Sequence, residues 1–123
     1  MVLGGSSVLS DGLLAALRAY SPDVSRIAGA DRYATAAAIS AAGFAADGPA
    51  SVYLATGSNF PDGLAAAPVA GRNNAPLLLT APGYLPAVTA AELRRLNPSQ
   101  VIVLGSSGAV SDAVLAQIRA LWP

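Results

Sequence analysis

The sequence predicts an α/β domain with a mainly parallel sheet built from about five βα units, and three observations carry that prediction. Short β-like runs begin near Met1, Arg26, Ser51, Pro76 and Val101, a spacing of about 25 residues. Each run is followed by a Gly-containing turn and then a helix-like segment. The last two, Leu77-Leu78-Leu79 and Val101-Ile102-Val103-Leu104, are continuously apolar, as parallel strands covered on both faces are. Alternating strand and helix of this length implies βαβ units with right-handed crossovers, the three-layer arrangement of Rossmann-like and flavodoxin-like domains.

Each element has a local reason. The strand runs are Val2-Leu3, Arg26-Ile27-Ala28, Val52-Tyr53-Leu54-Ala55, Leu77-Leu78-Leu79 and Val101 to Leu104. Asp31 to Ala46 predicts a helix with Tyr33, Ala37 and Phe44 on one side. Pro61 and Asp62 open another that runs through Leu64 toward Ala70. Pro86 starts a helix as a proline in the first turn; Leu85, Val88 and Leu96 are expected on its inner face, with Glu92, Arg94 and Arg95 turned to water. In the last helix Ser111 is the cap, Asp112 favours the first turn, and Val110, Val114, Ile118 and Leu121 form the apolar stripe.

Composition bounds the function. The chain has 123 residues, 54% apolar and 11% charged, which suits one domain with a sizeable core. The net charge is zero, so nothing favours bulk attraction to nucleic acid or anionic lipid. All seven cations are arginine. GC-rich coding accounts for that bias, yet the planar guanidinium also suits a local phosphate or carboxylate site. Cysteine and histidine are absent, which excludes a thiol nucleophile, a zinc-thiolate site and an imidazole base. No metal or cofactor is expected. The uncharged stretch from Tyr33 to Ala46 is too short for a bilayer span of roughly 20 residues. Met1 to Gly5 lacks the features of a secretory signal, so an export signal is expected outside this sequence.

A longer repeat overlies the short one. Val2 to Pro22 aligns without gaps onto Val103 to Pro123, pairing Leu3 with Leu104, Gly4 with Gly105, Ser10 with Ser111, Asp11 with Asp112 and Arg18 with Arg119. A tandem array explains this simply. Residues 1–25 are then the tail of a preceding repeat, packing on or completing the module, and residues 26–123 are one full repeat within a single globular domain.

Four ordered motifs carry a family resemblance. Arg26-Ile27-Ala28-Gly29-Ala30-Asp31-Arg32-Tyr33-Ala34-Thr35-Ala36 resembles the opening signature of the cell wall binding repeat 2 family. Leu54 to Pro68, Ala75 to Thr80 and Val101 to Ser111 are similar to its later signatures, in the same order. Gly63 stands where alanine is more usual, and Ser106-Ser107 where a Gly-Gly or Gly-Thr is common.

The resemblance implies a module of exported Gram-positive proteins, located at the cell surface. Its implied partner is an anionic cell-wall glycopolymer, teichoic-acid-like or a secondary wall polysaccharide. Modules of this kind come in threes about a pseudo-threefold axis, so neighbouring repeats or a homotrimer are the implied protein partners. Catalysis belongs to other domains of such polypeptides.

Seven residues are the candidate ligand set. Arg26 and Arg32 can hold phosphate or carboxylate groups, with Asp31 orienting one of them or capping the following helix. Tyr33 can stack on a sugar ring or lie in the core with its hydroxyl at the edge. Asn59, Phe60 and Asp62 follow a strand and open a helix, where ligands bind open α/β sheets; a rigid turn serves the same residues. Gly105-Ser106-Ser107-Gly108 is neither a dinucleotide fingerprint nor a Walker loop, and reads as a tight βα connection. No pair of acids is marked as catalytic. Two alternatives remain on sequence alone: a structural oligomerisation module, and a Rossmann-like domain that binds a nucleotide or another small ligand.

Overall fold

The computed structural model describes residues 1–59 and 61–122. Ten elements alternate along the chain: β1 (Val2–Leu3), α1 (Asp11–Leu17), β2 (Arg26–Ile27), α2 (Arg32–Gly43), β3 (Ser51–Thr56), α3 (Pro61–Arg72), β4 (Leu77–Thr80), α4 (Ala87–Leu96), β5 (Gln100–Val103) and α5 (Asp112–Arg119). All the strand pairs are parallel, as the apolar runs predict.

The strands form two sheets: β1 pairs with β2, and the other three take the order β4-β3-β5. Helix α2 packs against both β4 and α4. The chain turns into α2 immediately after β2, because the Gly29 N–H donates to Thr35 Oγ1 at 2.9 Å and Asp31 caps the helix.

The central strand β3 alternates between two cores with the two-residue period of a strand. Val52 and Leu54 join Leu78, Leu93, Leu96, Val110, Val114 and Ile118, which places α4 and α5 on that face. Tyr53 turns the other way, toward Ala70 and Ala75, with Leu77, Ile102 and Leu104 against them. The three-stranded sheet is thus the middle of three layers, with α3 opposite α4 and α5.

Three expectations for α4 are corrected. Pro86 is the N-cap, so the helix begins at Ala87. Glu92 does not face water: it is buried at 6% exposure among Thr89, Leu93 and Leu96, whereas Val88 is exposed. The arginine one turn on makes this tolerable. Arg95 donates from Nε to Glu92 Oε2 at 2.7 Å and from an NH2 nitrogen to Oε1 at 2.6 Å. The same nitrogen also donates to the Phe44 carbonyl at 3.0 Å, which ties the end of α2 to α4. Burial alone raises the Glu92 pKa. The Arg95 hydrogen bonds, the nearby Ser40 hydroxyl and the Arg95 charge outweigh it, leaving the carboxyl below its ordinary 4.5.

The N-terminal unit is packed differently from its aligned partner. In α5, Val114 is fully buried and Ile118 is 7% exposed. Helix α1 buries none of its residues, and Leu13, aligned with Val114, is 43% exposed.

A candidate ligand surface at the strand ends

The carboxyl ends of the strands gather most of the candidate residues. Asp31 accepts from the Ala34 N–H at 2.8 Å, the N-cap contact that a short acidic side chain makes in extended backbone. Arg32, in the first turn of α2, is exposed and donates to the Gly57 carbonyl at 2.6 Å, joining the start of α2 to the end of β3. One contact leaves a five-donor guanidinium with donors to spare. Tyr33 is half-buried, and its ring lies over Gly57 with the stem of Arg32. A Cβ at residue 57 would stand 2.7 Å from that ring, so only glycine permits the approach.

A concavity of about 480 Å³ opens beside these groups, lined by Gly4, Gly5, Ser7, Asp31, Arg32 and Thr35 among others. A second, mostly apolar hollow of about 310 Å³ lies between Gly57, Gly63, Leu64 and Leu77; Leu79 borders both. The first can present a cation, an anion, a hydroxyl and glycine backbone to a polar ligand. The second can take the apolar face of a sugar ring.

The remaining candidates divide. Arg26 is drawn into an internal clamp: it donates to the carbonyls of Gly4 and Leu9 and pairs with Asp11 at 3.2 Å. Most of its donors are thereby spent on fixing β1 and the start of α1 against β2. Asp62 is half-buried and its carboxylate lies over Gly105, where an added Cβ would stand 2.9 Å from Oδ2. Gly105 also has φ +104°, a conformation that side chains disfavour. Asn59 is exposed in the turn between β3 and α3. Phe60 lies outside the described residues.

Sequence reasoning passed over Ser7, Thr35 and the Gly57 carbonyl. Thr35 and Gly57 fall inside the quoted motifs, but nothing in residue type or spacing marks which carbonyl meets which arginine. No group of histidine, cysteine, aspartate and glutamate suited to a metal occurs among the described residues. No described helix is long and apolar enough to cross a membrane.

The family model described as Cell wall binding domain 2 (CWB2) matches residues 26–115. The chain belongs to the cell wall binding domain 2 family. Among relatives of this CWB2 chain, N-acetylmuramoyl-L-alanine amidase LytC of Bacillus subtilis (strain 168) is 36% identical over 98 residues, 80% of this chain and 19% of that protein. The amidase enhancer of the same strain is 34% identical over 119 residues, 97% of this chain and 15% of that protein. Among solved structures, Cwp6 from Clostridium difficile is 42% identical with a TM-score of 0.73, over 77% of this chain and 15% of that one. Cwp8 from Clostridium difficile has a TM-score of 0.80 at 22% identity, over 97% and 19%, and supports the fold. The chain spans less than a fifth of the length of each of these proteins. Its CWB2 identity is that of a binding module, and the resemblance carried by the four sequence motifs is borne out.

Proposed function

We propose that this CWB2 chain is a non-catalytic anchoring module, holding a secreted bacterial protein non-covalently to an anionic cell-wall polymer at the cell surface. The observation that carries the reading is the exposed Arg32 at the mouth of a polar concavity, fixed by one hydrogen bond and free to offer its other donors. Asp31, Ser7 and Thr35 supply hydroxyl and carboxylate partners for polymer hydroxyls, and the neighbouring hollow receives a ring face. Arg26 acts within the fold, and Asn59 and Asp62 flank the same strand ends. A teichoic-acid-like chain and a secondary wall polysaccharide share the anionic, hydroxyl-rich chemistry that these groups suit.

Residues 1–25 are the tail of a preceding repeat and residues 26–123 are one repeat; the start of the family match at Arg26 supports that boundary. Cosedimentation with purified wall material tests the anchoring reading. The chain is expected in the pellet, and Arg32→Ala in the supernatant with unchanged solution mass. A second reading, structural oligomerisation, is favoured by the uncovered apolar positions of α1. It prevails if Arg32→Ala lowers the mass of an assembly instead.

A further inference from the structure

Three of the acidic residues are aspartates followed directly by glycine: Asp11-Gly12, Asp47-Gly48 and Asp62-Gly63. Such a pair can react with itself, because no side chain on the glycine shields its nitrogen from the aspartate Cγ. The three pairs sit in different backbone settings, and the fold decides which of them can close. Asp11 and Asp62 stand in the first turns of α1 and α3. In a helix the side chain leans toward the N-terminus while the following amide lies on the C-terminal side, so nitrogen and carboxyl are held apart. Each carboxylate is also engaged: Asp11 pairs with Arg26 at 3.2 Å, and Asp62 lies over Gly105.

Asp47 stands apart. It lies in the exposed turn between α2 and β3, outside any helix or strand. Its φ is +51°, in the left-handed region that strains an L-residue. Two backbone hydrogen bonds hold the turn, and both are long. The Asp47 N–H donates to the Arg95 carbonyl at 3.2 Å, and the Gly48 N–H to the Ala45 carbonyl at 3.3 Å. Rotation about the Asp47 Cα–C bond gives up the second and swings the Gly48 nitrogen toward the carboxyl. No ion pair among the described residues engages that carboxyl. The turn also demands the reactive partner: a Cβ at residue 48 would stand 2.9 Å from the Ala45 carbonyl oxygen, so glycine belongs there.

We propose that Asp47 is a site of spontaneous backbone modification, at which the Gly48 nitrogen closes on the Asp47 Cγ and the turn passes to isoaspartate. In the first step the N–Cγ bond forms and the Cγ–OH bond of the protonated carboxyl breaks. The hydroxyl leaves with the amide proton as water, and the product is a cyclic succinimide. In the second step water adds to one of the two ring carbonyls and the C–N bond at that carbonyl breaks. Attack at Cγ restores aspartate. Attack at the α-carbonyl routes the main chain through Cβ and Cγ and leaves the α-carboxylate as the side chain. Water is the only other reactant. The extra main-chain carbon removes the left-handed strain at residue 47, which favours the isomer.

The full chain is aged in warm neutral buffer, folded and in urea, then digested, and electron-transfer fragmentation locates isoaspartate residue by residue. In the folded chain the yield at Asp47 is expected to exceed that at Asp11 and Asp62 about tenfold, whereas in urea the three agree within about twofold. Asp47→Asn keeps a residue suited to left-handed backbone and replaces water by ammonia, a better leaving group, so it is expected to close faster and to gain mass on hydrolysis. A folded chain with no isoaspartate at Asp47, or no more there than at the other two, overturns the proposal. So does the same excess at Asp47 in urea, which would assign it to sequence and not to the turn, or an Asp47→Asn chain that keeps its amide. Asp47 precedes the amino end of β3, opposite the candidate ligand surface, so the outcome is independent of the anchoring reading.

Discussion

Arg95→Ala is the perturbation with the most fully specified consequence. It removes both Arg95 donors to the Glu92 carboxylate and the tie to the Phe44 carbonyl, and leaves a carboxylate with 7% side-chain exposure without its cation. Breaking a buried ion pair from one side costs about 3–5 kcal/mol. Arg95 keeps 31% side-chain exposure, so water partly replaces it and the expected loss is about 2–3 kcal/mol. For a domain of this size that is a fall in Tm of about 8–12 °C.

The sign with pH follows from the same contacts. In the wild type the folded pKa of Glu92 lies below 4.5, so its stabilisation is complete above that value and is lost as pH falls through the folded pKa. Without Arg95, burial dominates and the folded pKa rises above 4.5. Protonation then relieves the variant as pH falls, and the gap in Tm between the two proteins narrows from pH 7 to pH 4. Replacing both residues, Glu92→Leu with Arg95→Ala, removes the stranded charge and is expected to return to within about 1 kcal/mol of wild type. Thermal melts followed by circular dichroism across pH give all three quantities. A pH-independent gap, or a double variant as unstable as the single, refutes the reasoning.

Further outcomes follow from the packing. Val114→Ala opens a void among Val52, Leu54 and Leu93 and is expected to cost about 2 kcal/mol, whereas Leu13→Ala, at the aligned exposed position, costs under about 0.5 kcal/mol. Equal losses by chemical denaturation would mean that α1 is covered after all. Gly105→Ala forces a side chain into φ +104° and against Asp62 and Ala109, an expected loss of about 1–3 kcal/mol, while Gly83→Ala, with open space around it, melts with the wild type. An unchanged melt for Gly105→Ala would show that the turn after β5 is built differently.

Much of the fold was legible because its signals are local. The apolar runs at Val52 to Ala55, Leu77 to Leu79 and Val101 to Val103 are parallel strands, and Asp31 and Ser10 cap the helices that follow them. The division into two sheets was not legible, because which strands pair is a long-range choice that leaves no periodic trace in the sequence. The burial of Glu92 was missed for a related reason. A helical wheel sets a glutamate outward, and only the partner one turn along and the Phe44 carbonyl across the gap make the inward position tolerable.

The candidate site divides in the same way. Asp31 and Arg32 line one concavity. Arg26 is spent on Gly4, Leu9 and Asp11, which two arginines in one motif give no means of foreseeing. The repeat of Val2–Pro22 in Val103–Pro123 was plain in the sequence, but that one copy is clad in a core and the other bare is visible only in the fold.

The central claim is that exposed guanidinium and hydroxyl groups at the strand ends hold a wall polyanion. Cosedimentation of the chain with purified wall material across a salt series tests it most directly. Screening shortens from about 10 Å at 0.1 M to about 3 Å at 1 M salt, so the bound fraction is expected to fall steeply over that range. Recovery of the chain in the supernatant at every ionic strength would contradict the account.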